Sequence, residues 1–448
     1  MTPASRPSPS RARSRTLVAV LLAAILMVPG CGSGDSAPGV EGDPGSQALA
    51  GERVEVAAVW SGIEALRFRA VLDRFEKATG VRVRFTSAGD DLATVLDTRL
   101  AAGKPPEVAL LPQPGLLAAL ARRGALQPLP APAAALVARH YDQLWRDLGA
   151  HDGRLYGVWF KASNKSTVWF NRAVLAGAGV APPTTWEGLQ AAAGALRAAG
   201  VAPLSVGGAD GWTLTDWFEN VFLRTAGRDT YSRLARHQIP WTDPSVRHAL
   251  GTLAEVLGRP EWLRGGIRGA LEAGFTDSVT RVFADPPEAA MVFEGDFVAS
   301  VIAAETGADP AQVADFFDFP AICPCPPAVV AGGGDVAVLL SDAPAARALV
   351  TYLATPEAGE VWAALGGFTS PNRGVDLSVY PGDVARRAAR ALVEADVVFD
   401  LSDLQPPAFG GTPGQGLWKL LQDFVADPAA IDRLTSELEA AATAAYRS

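Results

Sequence analysis

The sequence predicts an α/β protein with an open, mainly parallel sheet and a second domain beside it. Two observations carry this. From residue 53 to residue 123, short alternating apolar runs and helical stripes succeed one another. That order makes parallel strands joined by helical crossovers. The chain also has 448 residues, more than the roughly 250–300 at which one hydrophobic core stops growing. With 49% hydrophobic and 19% charged residues, little of that length is left for extensive disorder.

Val54, Val56 and Ala58 alternate into a first strand that ends at Trp60-Ser61-Gly62. Phe68, Val71, Leu72 and Phe75 then recur at helical spacing, and Gly80 stops the helix. Val81, Val83 and Phe85 form a second strand leading to Gly89-Asp90-Asp91. Leu92, Val95, Leu96 and Leu100 make the next helical stripe, ended by Gly103 and Pro105-Pro106. The third strand, Glu107 to Leu111, delivers Pro112-Gln113-Pro114 and a helix to Arg123. Ligands of open α/β sheets sit at the carboxyl ends of the strands. Trp60, Ser61, Gly62, Asp90, Asp91 and Gln113 are therefore expected on one rim.

Farther along, Tyr156 to Asn171 reads YGVWFKASNKSTVWFN, placing Lys161, Ser163, Asn164, Lys165 and Ser166 inside a run of aromatics and valines. Thr184 lies three before Glu187, a capping box that opens a helix to about Ala199. Gly211 to Asn220 sets Trp212 and Trp217 beside Asp216 and Asn220, and residues 241–300 look mostly helical, closing on Met291-Val292-Phe293-Glu294-Gly295-Asp296-Phe297. Gly332-Gly333-Gly334-Asp335 precedes a strand from Val336 to Leu340, and helices follow from Ala343 to Leu353 and from Pro356 to Leu365. The tail holds Asp400-Leu401-Ser402-Asp403-Leu404, then Trp418 opening a helix. Repeats of fixed period are absent.

The N-terminus is a separate object. Arg6, Arg11, Arg13 and Arg15 precede an apolar run from Leu17 to Val28, with no acid before Asp35. This is a signal peptide rather than a stable membrane span. Its end, Val28-Pro29-Gly30-Cys31, resembles the bacterial lipobox, whose cysteine is acylated and becomes the new N-terminus. Such a modification supplies more than one acyl chain, enough for stable anchoring outside the cytoplasmic membrane. Pro29 departs from the usual small residue. From Gly32 to about Ala50 the composition is that of a flexible tether. Loss of residues 1–30 removes four arginines and no acid, so net charge moves from −9 to −13, unsuited to nucleic acid or an anionic lipid surface.

Of the metal and redox classes little survives. Cys323-Pro324-Cys325 offers at best a strained local disulfide, and His140, His151, His237 and His248 form no tight cluster. The glycine run has no following Lys-Ser/Thr for a phosphate loop, and no Gly-x-Ser-x-Gly occurs. No cofactor is expected.

Several stretches together resemble one family: Trp-Ser-Gly-x-Glu (60–64), Phe-Glu-x-x-Thr-Gly (75–80), Gly-x-Pro-Pro (103–106), Pro-Gln-Pro-Gly (112–115), the 156–171 segment, Pro-x-Thr-Trp-Glu (183–187) and Asp-x-Ser-Asp-Leu (400–404). In this order they resemble the extracellular solute-binding proteins of carbohydrate ABC transporters, particularly the α-glucoside and maltose-type branch, over about residues 52–445. The resemblance implies a periplasmic-binding-protein-like (type II) fold of two lobes joined by three crossings, near 163–168, 330–336 and 368–374. It divides the chain into signal peptide 1–30, tether 31–51, lobe one 52–164 plus 334–371, and lobe two 165–332 plus 372–448. It implies a monomer that takes a glucoside or oligosaccharide in the inter-lobe cleft and delivers it to membrane permease subunits. Trp217, Trp418 and Phe297 match the family's pocket aromatics, and the third crossing adds Asn372 and Arg373. The stretch 291–297 departs from the α-glucoside branch, which leaves the identity of the sugar open.

The residue types suit sugar chemistry. Flat aromatics cover the C–H face of a sugar, while amides, carboxylates and lysines take its hydroxyl edge. Trp60, Trp212, Trp217 and Trp418 all fall on loops or element ends, although core packing accounts equally well for any one of them. Asp216 and Asn220, four apart, form a plausible hydroxyl-reading edge or a solvated helix face. Glu294 and Asp296 fit ligand hydroxyls or a turn at Gly295; a glycoside hydrolase using the pair is the alternative, as is a non-sugar solute. Gly333 and Asp335 suit close backbone approach with a polar reader, and Asp400 and Asp403 either touch the ligand or cap the following turn. The lysine segment is expected to be crossing and cleft floor, with lysines snorkelling from a surface linker as the competing reading.

Overall fold

The computed structural model describes residues 49–322 and 329–447. The expected leader and Cys31, the expected tether to residue 48 and the Cys323-Pro324-Cys325 run lie outside them. Strands β1 (Arg53–Ala58), β2 (Arg82–Ser87) and β3 (Val108–Leu111) form where expected, with β1 parallel to both others. Helices α1 (Gly62–Thr79), α2 (Leu92–Ala101) and α3 (Pro114–Arg122) follow them in turn. α1 buries Phe68, Val71, Leu72 and Phe75, and ends where Gly80 turns left-handed at φ 73°.

Two sheets carry the rest. β4 (Gly157–Asn164), β9 (Val329–Leu339) and β10 (Asp396–Phe399) complete the first, in the order β10-β9-β3-β1-β2 with β4 on β9. The second is β8-β5-β7-β6, from β5 (Thr167–Asn171), β6 (Ala202–Ser205), β7 (Ala289–Phe293) and β8 (Ala314–Asp318). The chain leaves the first sheet at Asn164 and enters the second at Thr167, with β4 and β5 buried throughout. Each sheet has its own core. One gathers Val56, Phe68, Leu110, Trp159 and Trp362, and the other Val168, Trp217, Phe222, Trp241 and Met291. Helix Gly382–Glu394 and β10, expected wholly within lobe two, pack on both sides: Leu392 and Phe399 join the first core, Val398 joins the second, and Val384 and Ala388 pack with Trp169 and Phe316 of the second sheet.

Three local expectations change. β7 lies in the stretch expected to be mostly helical, because Ala289–Phe293 is apolar without a break and periodicity alone cannot separate a buried strand from a buried helix. β9 runs straight through Gly332-Gly333-Gly334, seven residues before the expected start. A Cβ on these glycines would lie 2.7 Å from Val397 Cγ1, 2.8 Å from Lys165 Cε and 2.4 Å from the Lys161 carbonyl oxygen respectively, so glycine here permits close strand approach. The cap of helix Trp186–Ala198 is Thr185, whose hydroxyl accepts from the Gly188 amide at 3.1 Å, and not Thr184. Among the described residues no helix is long and apolar enough to cross a membrane.

Candidate ligand-binding cleft

A cleft of about 440 Å³ opens between the two sheets, within the ~300–1,000 Å³ of small-molecule sites. The rim of the first sheet supplies Trp60, Ser61, Gly62, Asp90 and Gln113, from the loops after β1, β2 and β3. Lys161, Ser163, Lys165 and Asp335 form the floor, from the second half of β4, the residue that follows it and the middle of β9. The second sheet's side brings Trp212, at the start of helix α4 (Trp212–Ala235), and Phe297, and the tail brings Asp403 and Trp418.

Both lysines are held by the protein itself. Lys161, with 5% of its side chain exposed, pairs with Glu64. Its ammonium also lies 5.8, 5.6 and 5.5 Å from the ring centroids of Trp60, Phe297 and Trp362, a cation–π environment. Burial opposes its charge, but Glu64, Asp335 and Asp296 outweigh burial and hold Lys161 above the usual lysine range. Lys165 Nζ sits 2.5 Å from Asp400 Oδ2, 3.2 Å from Asp216 Oδ1 and 4.0 Å from Asp403 Oδ2, and 5.6 Å from the Trp212 ring. The same balance, burial against Asp216, Asp400 and Asp403, holds it well above the usual range. Asp216, Glu219 and Asp400 bring ligand atoms within 4.8 Å of one another, the spacing a metal ion would need. The Lys165 ammonium supplies positive charge at that spot.

So many carboxyls around one cation cannot all ionise. Burial raises Asp216 to about 8, and Glu294 and Asp403 well above the carboxylate range, whereas Lys165 and hydrogen bonds hold Asp400 below it against burial. Among the described residues, Asp216 Oδ2 and both Glu294 oxygens have no hydrogen-bond partner. The raised Glu294 carboxyl faces Asp216, where a shared proton would pair one oxygen of each. Burial also raises Asp335 and Asp296 to about 6.

Several expected site residues are placed elsewhere. Trp217 is 1% exposed and packs on Phe293 and Phe319 in the second core. It lies five residues along α4 from the cleft-lining Trp212, more than a turn, and so faces inward. Asn164, Ser166 and Asn220 are spent on the crossing: Asn164 Oδ1 accepts from the Ser166 amide, Ser166 Oγ bonds Asn220 Oδ1 at 2.6 Å, and Asn220 Nδ2 donates to the Lys165 carbonyl. Asp216, Asp400 and Glu294 stand behind Lys165 and off the cleft wall. Asp296 accepts from Thr369 Oγ1 at 2.7 Å, and Gly333 lies under the Lys165 stem. Asn372 fixes its own turn, donating to the Ala354 carbonyl and accepting from the Gly374 amide. Arg373 is an exposed partner of Asp142, and Asp91 is exposed beyond the rim. Glu294 and Asp296 thus present no catalytic pair to the cleft.

The cleft also contains residues outside the expected set. Glu64 follows the rim loop in the first turn of α1, so the rim rule extended by two residues would have found it. Asp210 and Phe275 meet only in the fold, where the Phe275 amide donates to Asp210 Oδ2 at 2.6 Å. Ser300 and Glu305 lie on a short helical stretch with no local signal.

Residues 61–360 match the sequence profile of the family described as bacterial extracellular solute-binding protein. The osmoprotective compounds-binding protein GgtB of Synechocystis sp. is 36% identical over 415 residues, covering 91% of this chain and 94% of that protein. The alpha-glucosides-binding periplasmic protein AglE of Rhizobium meliloti is 33% identical over 399 residues, 86% of each. Among solved structures, the bacterial solute receptor AcbH, described as having an exclusive preference for β-D-galactopyranose, superposes with a TM-score of 0.78 at 22% identity, over 88% of this chain and 99% of that one. RafE in complex with raffinose gives 0.71 at 18%, over 87% and 99%.

Proposed function

The chain belongs to the bacterial extracellular solute-binding protein family, and from that premise we propose that it is the sugar receptor of an ABC importer. It binds a glucoside or short oligosaccharide between its lobes and hands it to permease subunits, without catalysing a reaction. The observation that carries the sugar reading is the self-neutralised floor. Lys161 and Lys165 already occupy the cation positions among the aromatics and carboxylates. What remains for a ligand is flat aromatic surface from Trp212, Phe297 and Trp418, acceptor oxygens from Asp90 and Asp335, and the carboxyl of Asp403. Neutral polyols donate into such acceptors, and pyranose rings cover such faces. A cationic solute would compete with the two tethered ammoniums.

The relatives' names support the same class, and the two-lobe division is kept as part of the proposal, supported by the separate cores of the two sheets, with the stretch from 375 to 399 shared between them rather than wholly in lobe two. Anchoring by lipid on Cys31 outside the cytoplasmic membrane and a monomeric state complete it. Ligand favours the closed form only by its better contacts there. Titration calorimetry over a panel of neutral sugars is expected to give saturable heat with at least one α-glucoside, and heat from none of them refutes the proposal.

A further inference from the structure

We infer that the cleft is walled at both ends and takes a ligand no longer than two sugar rings, an inference that rests on the sugar reading above. The floor is a short ladder of four segments. β10 pairs with β9, with Val398 opposite Ala331, and β9 pairs with β4, with Gly332 opposite Asn164. The far edge of β4 meets the third crossing, Ala162 opposite Thr369. Three strand spacings of ~4.8 Å put about 14 Å between the outer segments. The side chains of the two end walls take part of that length.

At the β10 end the two sides touch through backbone. The Gly115 amide donates to the Asp403 carbonyl at 3.0 Å, and a Cβ on Gly115 would lie 2.0 Å from the Gln405 carbonyl oxygen. Gln113 Nε2 reaches the Gly411 carbonyl at 3.3 Å, and a Cβ on Gly411 would fall 1.5 Å from that nitrogen. At the Thr369 end, Thr369 Oγ1 donates to Asp296 Oδ2 at 2.7 Å. Beside it Ser300, which lines the cleft, fills the notch of Gly367: a Cβ there would lie 1.5 Å from Ser300 Oγ and 2.6 Å from Arg67 Nη1. Gly367 has φ +62°, so a side chain at this position is disfavoured by backbone and by space alike. Both walls depend on absent side chains. The exposed lining residues Ser61, Asp90 and Thr276 mark the remaining opening, the mouth. A chain leaving by it would lose the floor.

Calorimetry on the full chain tests this with two-ring sugars (maltose, trehalose, sucrose) and their longer homologues (maltotriose, maltotetraose, raffinose). At least one two-ring sugar is expected to bind, with its three-ring homologue at least tenfold weaker. A three-ring homologue that binds equally or more tightly overturns the length limit and leaves the sugar reading standing. No heat from any sugar of any length overturns the sugar reading itself. Gln113→Ala, which removes the side-chain part of one wall, is expected to raise the affinity ratio of three-ring to two-ring sugar at least tenfold. An unchanged ratio rejects the wall.

Discussion

Replacing Lys165 by methionine removes the one ammonium among Asp216, Asp400 and Asp403. Its side chain is 14% exposed, and those of Asp216 and Asp400 are 0% and 1% exposed, so solvent screens the pairs little. Breaking a buried pair from one side costs about 3–5 kcal/mol, because the partner charge is stranded. The stranded carboxyls have one escape, which is to take up protons. In the native protein Asp400 is held below the carboxylate range, so its contribution is present above its unfolded value and is lost only in strong acid. Without Lys165 that depression disappears, and Asp400 rises with its neighbours. The folded variant then holds more protons than the unfolded chain, so its stability falls as pH climbs from 5 to 8. Urea denaturation is expected to show a loss of about 3–5 kcal/mol at pH 8 and under half of that at pH 5.5. An equal loss at both pH values, or one below about 1 kcal/mol at pH 8, would refute the assignment of Lys165 as the counter-ion of this cluster.

Two further outcomes follow from the same geometry. Trp212→Ala should weaken sugar binding by about 1–3 kcal/mol with little change in melting, whereas Trp217→Ala, deep in the second core, should cost about 3–5 kcal/mol of stability; calorimetry and thermal melting separate them, and the reverse pattern rejects the placement. A buried carboxyl raised in the folded state costs stability as pH rises from ~4.3 towards its folded value, so Glu294→Gln should gain on the native chain between pH 5 and pH 8 in urea denaturation; a difference independent of pH removes the shared proton with Asp216.

The rim was legible before any fold was known. Trp60, Gln113 and Asp90 sit where alternating strands run out, and the carboxyl-end rule needs only strand order. Lys161 and Lys165 were legible as floor because ammoniums inside an apolar strand must find counter-charge. Their counter-charges were not. Glu64 lies 97 residues from Lys161, and Asp400 lies 235 from Lys165. No local pattern encodes a pair at that separation.

Trp212 and Trp217 show the same limit within one helix. Both had tryptophan chemistry, polar neighbours and an element start in their favour. Only the packing of α4 against Phe293 and Phe319 turned one ring inward. The α/β order, the polar crossing and the aromatic and acidic supply of a sugar site were readable from residues alone, because these follow from periodicity and composition. Which of those groups face the cleft, which neutralise one another and where the cleft ends emerged only from the folded chain. Direction and long-range pairing arise only when the two cores pack across the crossings.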